Sequence, residues 1–310
     1  VSSGVPSHLD RVGSGPNDSV FYHIKSMKDD LTSSDVNTVI HANQLLNVIL
    51  TGDGLSIFIP KGTLTAGFDV NRLIVQPSQA EDGMVIQYTD LDGNVSILPW
   101  CLVSEGSVQY IAVGMGDYKL VPGSVDFSDI AGLWGTDYID FTSRRELFQG
   151  TGENLFSPDV PMSRAMFVTV LWRMAGSPAA EADVTFTDLT DDWYQDAVRW
   201  AVANGIAEGY NAQTFGPNDL VNREQMCVFL GRFLDYLGWT LDESSESIAF
   251  ADSGSISPWA TEDVDYCTRT GLVEGVGENT FAPLQSASRM EVSTLLARFV
   301  TKLVENYCTM

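Results

Sequence analysis

A nine-residue pattern occurs three times in the C-terminal part of the chain, and it restricts the possible folds more than any other feature. The copies read FSPDVPMSR, FGPNDLVNR and FAPLQSASR, and they start at residues 156, 215 and 281. In each copy Pro stands two positions after Phe, and Arg stands six positions after Pro. A spacing kept three times indicates repeated units that pack on one another, since one short unit cannot bury its own apolar face.

The repeat extends in both directions from this pattern. Each copy begins with Phe-x-Asp, continues to a Trp and a Gly, and ends nine positions after the Arg with a second Arg. Eight residues agree in all three copies, and from the Trp onward their spacing is also the same. The anchor residues, copy by copy, are Phe127, Asp129, Trp134, Gly150, Phe156, Pro158, Arg164 and Arg173; Phe186, Asp188, Trp193, Gly209, Phe215, Pro217, Arg223 and Arg232; Phe250, Asp252, Trp259, Gly275, Phe281, Pro283, Arg289 and Arg298.

Each copy is predicted to form two helices joined by a compact turn. Between Trp and Gly, apolar residues recur at helical spacing, and Gly205 and Gly271 supply left-handed C-caps where the first copy has Glu146. In the third copy, Ser257 and Pro258 predict the N-cap and first turn of the helix. The second helix follows the Arg and carries one apolar stripe: Phe167, Val170, Leu171 and Met174; Met226, Phe229, Leu230 and Phe233; Val292, Leu295, Leu296 and Phe299.

The residue before each Arg is an N-capping Ser or Asn, and Gln225 and Glu291 complete capping boxes in copies two and three. Met166 stands at that position in copy one, so Arg164 is expected to be the least supported of the three. A cation in the first helical turn opposes the helix dipole and needs another reason to be there. The Arg either pairs with Asp129, Asp188 or Asp252, or forms an anion site with the helix amides.

The charge balance excludes some classes of partner. The chain has 17 basic and 41 acidic residues, a net charge of −24, which argues against nucleic-acid binding and against anionic membranes, and no apolar run is long enough for membrane insertion. Residues 126–310 nevertheless contain ten Arg and one Lys, and six of the Arg are repeat positions. The planar guanidinium suits carboxylate or phosphate, so this usage favours anion recognition. The repeat Trp suits core packing and stacking on a sugar equally well.

These anchors resemble those of S-layer homology (SLH) modules, whose signature at the Arg is Thr-Arg-Ala-Glu. MSRAM, VNREQ and ASRME stand in its place here, and the resemblance covers residues 126–304. It implies an all-α pseudo-threefold bundle of three helix-turn-helix repeats, with grooves that hold a secondary cell-wall polysaccharide, often pyruvylated. The departures from Thr and Glu are largest in the copy with Met166.

The resemblance also implies a protein at the cell surface or in an S-layer, attached without a covalent bond to a Gram-positive-type wall. Arg164, Arg223 and Arg289 would take the anionic sugar, and Gly150, Gly209 and Gly275 would allow close backbone approach. Residues of the same repeat complete the expected carbohydrate-binding set: Trp134, Trp193, Trp259, Asp129, Asp188 and Asp252. Two alternatives stay open: repeats used for self-assembly at the surface, and the non-catalytic C-terminal part of a wall-associated hydrolase.

The first 125 residues follow a different pattern and predict a small β-rich domain. Alternating segments LSIFIP, NRLIVQ, MVIQYT, VSILPW and VQYIAV are separated by Gly-containing turns, whereas HANQLLNVIL predicts a short helix. DLDGN at 90–94 fits a hairpin turn better than a calcium loop, which would need further ligands. The α+β chain is divided into a linker or frayed end (1–20), a β-rich domain (21–125) and SLH repeats at 126–176, 185–238 and 249–304.

No catalytic set, cofactor site or metal site is expected. The three His stand far from any known catalytic motif, although carboxylates alone can serve a glycosidase. Cys101, Cys227, Cys267 and Cys308 have scattered spacings with no CxxC pair, so free thiols are predicted.

Overall fold

A computed structural model describes residues 9–15, 19–25, 46–51, 54–59, 79–90, 92–113, 116–180, 184–243 and 248–308. The chain divides into two compact units, one of Val1–Val125 with Val300–Met310 and the other of Asp126–Phe299. Strands lie in the first unit and helices follow in the repeats, so the α+β prediction is confirmed at this level.

The described strands of the first unit pair in two antiparallel sheets. Their orders are β1-β2-β4-β3-β8-β7 and β6-β5-β9. The short turn at Glu105 and Gly106 returns the chain beside itself and so makes β7 and β8 antiparallel neighbours, whereas β2–β4, β3–β8 and β5–β9 pair across longer stretches of sequence. The strands are β1 Leu9–Gly15, β2 Ser19–Lys25, β3 Leu46–Thr51, β4 Gly54–Ile59, β5 Met84–Asp90, β6 Val95–Ile97, β7 Cys101–Ser104, β8 Ser107–Ala112 and β9 Gly116–Pro122.

Asp90 and Asp92–Asn94 of the DLDGN segment lie in the predicted hairpin turn between β5 and β6. Asp90 accepts hydrogen bonds from the backbone N–H groups of Asp92 (2.9 Å) and Asn94 (2.8 Å), and Gly93 has φ +87°. The side-chain amide of Asn94 also donates to Asp90 (2.8 Å); this bond first, and the backbone bonds after it, lower the pKa of the Asp90 carboxyl group. In the described part of the chain, no cluster of three or more His, Cys, Asp or Glu side chains is arranged to hold a metal ion.

Two predictions for the N-terminal part are wrong. HANQLLNVIL was expected to form a helix, but Leu46–Thr51 is the strand β3, between β4 and β8. A short apolar run fits a buried strand as well as a helix, and pairing on both edges decides for the strand. Leu9–Gly15 lies within the expected linker but forms β1, which pairs with β2. Ser19 and Val20, also within the expected linker, begin β2. Residues 1–8, 16–18 and 41–45, and the segment NRLIVQ, lie outside the described residues.

The repeats contribute two helices each. The first copy has α1 Thr136–Arg144 and α2 Arg164–Met174, the second α3 Asp192–Ala203 and α4 Arg223–Leu237, and the third α5 Thr261–Arg269 and α6 Arg289–Cys308. All twelve residues of the predicted apolar stripes are buried. Each second helix contacts the first helix of the next copy: α2 packs on α3, α4 packs on α5, and Ser293 of α6 hydrogen-bonds Thr142 of α1 at 2.5 Å.

Helix ends follow the predicted capping chemistry except in one case. The capping boxes at Asn222 and Ser288 are confirmed, with Gln225 and Glu291 accepting from the N-cap backbone. Glu146 adopts φ +58°, the left-handed conformation that Gly205 and Gly271 adopt in the other copies. The α5 helix begins at Thr261 and not near Ser257, because the backbone and hydroxyl of Ser257 both donate to the buried Glu224 carboxylate at 2.9 Å.

Three backbone hydrogen bonds link the copies in a ring. Met162 N–H donates to Ala287 O (2.8 Å), Ala287 N–H to Val221 O (3.2 Å), and Val221 N–H to Met162 O (2.9 Å). These residues occupy the same position, two before the Arg, in each copy. Every copy is therefore bonded to both of the others, and none is an end of the series.

Adding a reducing agent should leave the melting temperature unchanged. Cys101, Cys227 and Cys267 are buried free thiols, so reduction has no bond to break among them; the Cys308 side chain lies outside the described residues. Differential scanning calorimetry with and without reductant checks this. A fall of several degrees in reductant would contradict it.

Candidate functional site

The Asp of each Phe-x-Asp holds the Phe-x-Pro turn of its own copy. Asp252 accepts hydrogen bonds from the N–H groups of Phe281 (2.8 Å) and Ala282 (2.7 Å). Burial raises the pKa of Asp252, but these bonds outweigh it and the net pKa lies below the ordinary value. The equivalent bonds run from Phe156 and Ser157 to Asp129, and from Phe215 and Gly216 to Asp188. These carboxylates shape the turn.

The repeat Gly residues allow close packing inside each copy. A Cβ at Gly275 would lie 2.8 Å from Thr280 O and 3.1 Å from the Phe250 ring, and one at Gly150 would meet Leu155 O and Phe127 at 3.0 Å. At Gly209 the carbonyl of Thr214 would be 2.8 Å away. At Gly209 and Gly275 the contact with a backbone oxygen is too short for a Cβ, and at Gly150 the neighbours would have to shift, so the protein's own packing favours glycine at all three positions.

Each repeat Arg crosses to the next copy and binds carbonyl oxygens there. Arg223 Nε donates to Phe281 O (2.8 Å) and Nη2 to Glu274 O (2.7 Å), and the guanidinium carbon lies 5.0 Å from the centre of the Phe281 ring. All three Arg are buried. The equivalent bonds run from Arg164 to Phe215 O (3.2 Å) and Glu208 O (2.7 Å), and from Arg289 to Phe156 O (2.7 Å) and Gln149 O (2.8 Å).

Neither partner expected for the Arg from sequence is the one observed. The guanidinium hydrogen bonds go to main-chain oxygens, and the Asp carboxylates bond main-chain amides instead. The first amides of the helix also have acceptors within the protein. Arg223 N–H donates to Gln285 O, Glu224 N–H donates to Pro283 O, and Gln225 N–H donates to the side-chain oxygen of Asn222, the N-cap residue. Since protein oxygens fill these donors, the predicted anion site at the helix amides is wrong.

A cavity of about 330 Å³ lies between the copies and collects residues from all three. Trp134 comes from copy one, Arg223 from copy two, and Gly275 from copy three. Three of the predicted site residues thus share one groove, although they belong to different repeats. The rest of the lining comprises Met226, Leu272, Val273, Glu274, Val276, Glu291, Thr294, Leu295 and Arg298.

The repeat Trp side chains face solvent. Trp134 is 64% exposed, Trp193 51% and Trp259 56%. Large aromatic side chains are normally buried, so three exposed ones at one repeat position favour contact with a ligand over core packing.

Four polar residues of the cavity were missed as site residues: Glu274, Glu291, Thr294 and Arg298. Arg298 is the second repeat Arg, and Glu274 precedes the repeat Gly; their side chains form an ion pair at 3.4 Å. The fixed position of Arg298 in the repeat was a usable signal. Glu274 gave none, because the first copy has Gln149 at that position.

Comparison with known proteins identifies the repeats. The model of the S-layer homology domain matches residues 126–166, 185–227 and 249–293. The chain carries three S-layer homology domains. The matched segments contain all three pairs of Phe-x-Asp and Phe-x-Pro anchors and the first Arg of every copy.

Curated relatives share these domains over part of their length. The chain is 29% identical over 231 residues to exoglucanase XynX of Acetivibrio thermocellus, covering 71% of this chain and 21% of the relative. It is 28% identical over 179 residues to the surface-layer 125 kDa protein of Lysinibacillus sphaericus, covering 56% of this chain and 15% of the relative. It is 25% identical over 164 residues to the cellulosome-anchoring protein of Acetivibrio thermocellus, covering 48% of this chain and 36% of the relative.

The S-layer homology domains and these relatives indicate an extracellular protein attached to the cell wall. The chain spans about a third or less of each of the three relatives. Within the described residues, every helix is too short or too polar to cross a bilayer.

Proposed function

We propose that the chain anchors a surface protein to the wall by binding an anionic secondary cell-wall polysaccharide between neighbouring repeats, with a pyruvylated sugar as the recognised group. The observation that carries this proposal is the cavity lined by Trp134, Arg223 and Gly275, one residue from each copy. An exposed indole beside a guanidinium offers a sugar both a stacking surface and a partner for its carboxylate.

Arg223 is suited to this task because the protein fixes its orientation. Two of its nitrogens are held by the carbonyls of Phe281 and Glu274, and the guanidinium lies over the Phe281 ring. Within the part of the chain that the structure describes, Nη1 donates no hydrogen bond. We infer that Nη1 is the donor that meets the ligand. A group held in place before binding loses little conformational freedom when the ligand arrives.

We also infer a pseudo-threefold bundle with three related grooves. Its support is the ring of bonds among Met162, Val221 and Ala287, together with the Arg contacts from copy one to two, two to three and three to one. Applied to the cavity, the same cyclic relation assigns Trp193, Arg289 and Gly150 to a second groove. It assigns Trp259, Arg164 and Gly209 to a third.

We propose further that the chain contributes attachment and not catalysis. The matches with proteins named as enzymes cover a minor share of those proteins: 21% of exoglucanase XynX and 19% of an endoglucanase from a Bacillus strain. The part of this chain that matches the family model consists of S-layer homology domains.

The test is co-sedimentation with purified wall polysaccharide before and after chemical removal of pyruvate. We expect binding to the intact polymer and little to the treated one. Trp134→Ala should weaken binding at its groove at least about fivefold, since a stacked ring contributes about 1 kcal/mol beyond the area it buries. Leu284→Ala is the matched control, because Leu284 is an exposed apolar side chain outside the cavity lining. Equal binding to both polymers would contradict the proposal, and self-sedimentation without polymer would favour self-assembly.

A further inference from the structure

The three grooves differ in charge at one repeat position. This position is the residue whose carbonyl accepts Nη2 of the crossing Arg, and it is Glu208, Glu274 or Gln149. In two copies it carries a carboxylate, and in the first copy it carries a neutral amide.

The carboxylate, where present, neutralises the second repeat Arg. Glu208 pairs with Arg232 at 3.1 Å, and Glu274 pairs with Arg298 at 3.4 Å. Gln149 cannot form this ion pair, and Arg173 instead donates from Nη1 to Leu147 O at 3.0 Å. The 147–149 segment therefore holds two guanidinium groups, Arg173 through Leu147 and Arg289 through Gln149, without a carboxylate at 149.

A second acid is replaced in the same groove. Glu291 lines the cavity with Arg223, although it lies on the helix of copy three. Glu291 stands two residues after the repeat Arg of its copy, and the same position holds Met166 in copy one and Gln225 in copy two. The cyclic relation therefore places Met166 beside Arg289 and Gln225 beside Arg164. Met166 was expected from sequence to weaken the site of Arg164, its neighbour in the chain. The packing seen at Arg223 assigns Met166 to the groove of Arg289, where it removes a negative charge.

The remaining charges leave this contrast in place. In every groove the repeat Asp attracts the crossing Arg electrostatically: Asp129 attracts Arg289, Asp188 attracts Arg164, and Asp252 attracts Arg223. The repeat Asp therefore does not distinguish the grooves. The exposed Glu146 offsets part of the charge of Arg173. Burial first, and the nearby positive charge of Arg173 second, lower the pKa of Arg289 to about 10, so Arg289 stays charged at neutral pH.

We infer that the groove formed by Arg289, Arg173 and Gln149 is the tightest anion-binding groove of the three and selects sugars carrying a carboxylate over their neutral parents. This rests on the proposed function, since it ranks grooves that must first bind glycan. A bound carboxylate relieves the repulsion between the guanidinium groups of Arg289 and Arg173, whereas at Arg223 the carboxylate is also repelled by Glu274 and Glu291.

The experiment titrates the full chain, labelled with fluorotryptophan, with a synthetic monosaccharide bearing a pyruvate ketal and with its neutral parent sugar. Fluorine NMR reports each groove through its own Trp, and Trp→Phe variants assign the signals. Wild-type protein should show its tightest binding of the ketal at Trp193, with a weaker response to the parent sugar.

Two reciprocal substitutions exchange the charge pattern. Gln149→Glu installs the acid of the other copies and should weaken binding at Trp193 roughly two- to fivefold, the size expected for a partly exposed ion pair. Glu274→Gln should strengthen binding at Trp134 by a similar factor. Glu105→Gln is the control for net charge, because Glu105 is an exposed acid in the turn between β7 and β8, outside the repeats.

The outcomes separate the two proposals. If no Trp signal of the wild-type protein responds to the ketal, the proposed function is wrong and the ranking falls with it. If wild-type protein binds but the two substitutions leave the affinities unchanged, or if Trp134 or Trp259 reports the tightest site, the ranking is wrong and the proposed function stands.

Discussion

Removing residues 249–310, which comprise the third copy and the residues after it, should unfold residues 126–248. The deletion takes away Ala287, which bonds Val221 and Met162, and it exposes the apolar stripe of α4. Each large side chain returned to water costs about 2 kcal/mol, against a total stability of about 5–15 kcal/mol for a typical domain. Loss of a few such contacts is enough to unfold what remains.

Circular dichroism during heating, with calorimetry, measures this result. The truncated chain should show no cooperative transition at the temperature where the full chain unfolds. Adding purified 249–310 back, or expressing it alongside, is the control, because it restores the missing partners without changing the rest of the sequence. A truncated chain that keeps the native transition would show that the copies fold as independent beads.

Arg223→Ala should destabilise the fold as well as reduce glycan binding. Without the guanidinium, the carbonyls of Phe281 and Glu274 lose their donor, and hydrogen bonds to a charged group contribute about 1.5–3 kcal/mol each. We expect a loss of about 3 kcal/mol. Arg223→Lys keeps the charge but cannot reach both oxygens with a fixed fork, so it should recover only part of this.

Urea unfolding of both variants, beside Arg199→Ala, tests the structural role of Arg223. Arg199 is a surface Arg whose pairing with Asp196 is loose at 3.7 Å, and its removal should change stability by no more than about 0.5 kcal/mol. If Arg223→Ala is as stable as Arg199→Ala, the carbonyl contacts are unimportant. A loss of glycan binding in Arg223→Ala would therefore reflect both the missing guanidinium donor and the reduced stability.

Helical periodicity and repeat spacing were sufficient to predict the interior of the repeats. Residues such as Phe167, Phe229 and Leu296 are buried as their spacing predicts, because a 3.6-residue period fixes which face of a helix is apolar. The capping boxes were equally predictable, since their partners are three residues apart. Periodicity did not decide the state of Leu46–Thr51, because a six-residue apolar run has no distinctive period.

The site was less predictable, because its residues meet across copies. Sequence placed Arg223 beside its own Gln225, whereas the structure places it at Phe281 and Glu274, more than fifty residues away in the chain. Ser257 shows the same limit: its local pattern predicts a helix cap, yet it binds Glu224 of the preceding copy. Short-range rules describe one copy well and carry no information about which copy lies next to it.

The ring of bonds among Met162, Val221 and Ala287 has a consequence for copy number. A closed head-to-tail series leaves no free end at which a fourth repeat can be added, and a chain with one or two repeats must borrow the missing ones from another molecule. Duplication or loss of a single repeat would thus turn a self-contained anchor into one that assembles between chains. A point substitution on the surface of a groove leaves the ring of bonds closed. The residues that line each groove can therefore change without changing the number of repeats.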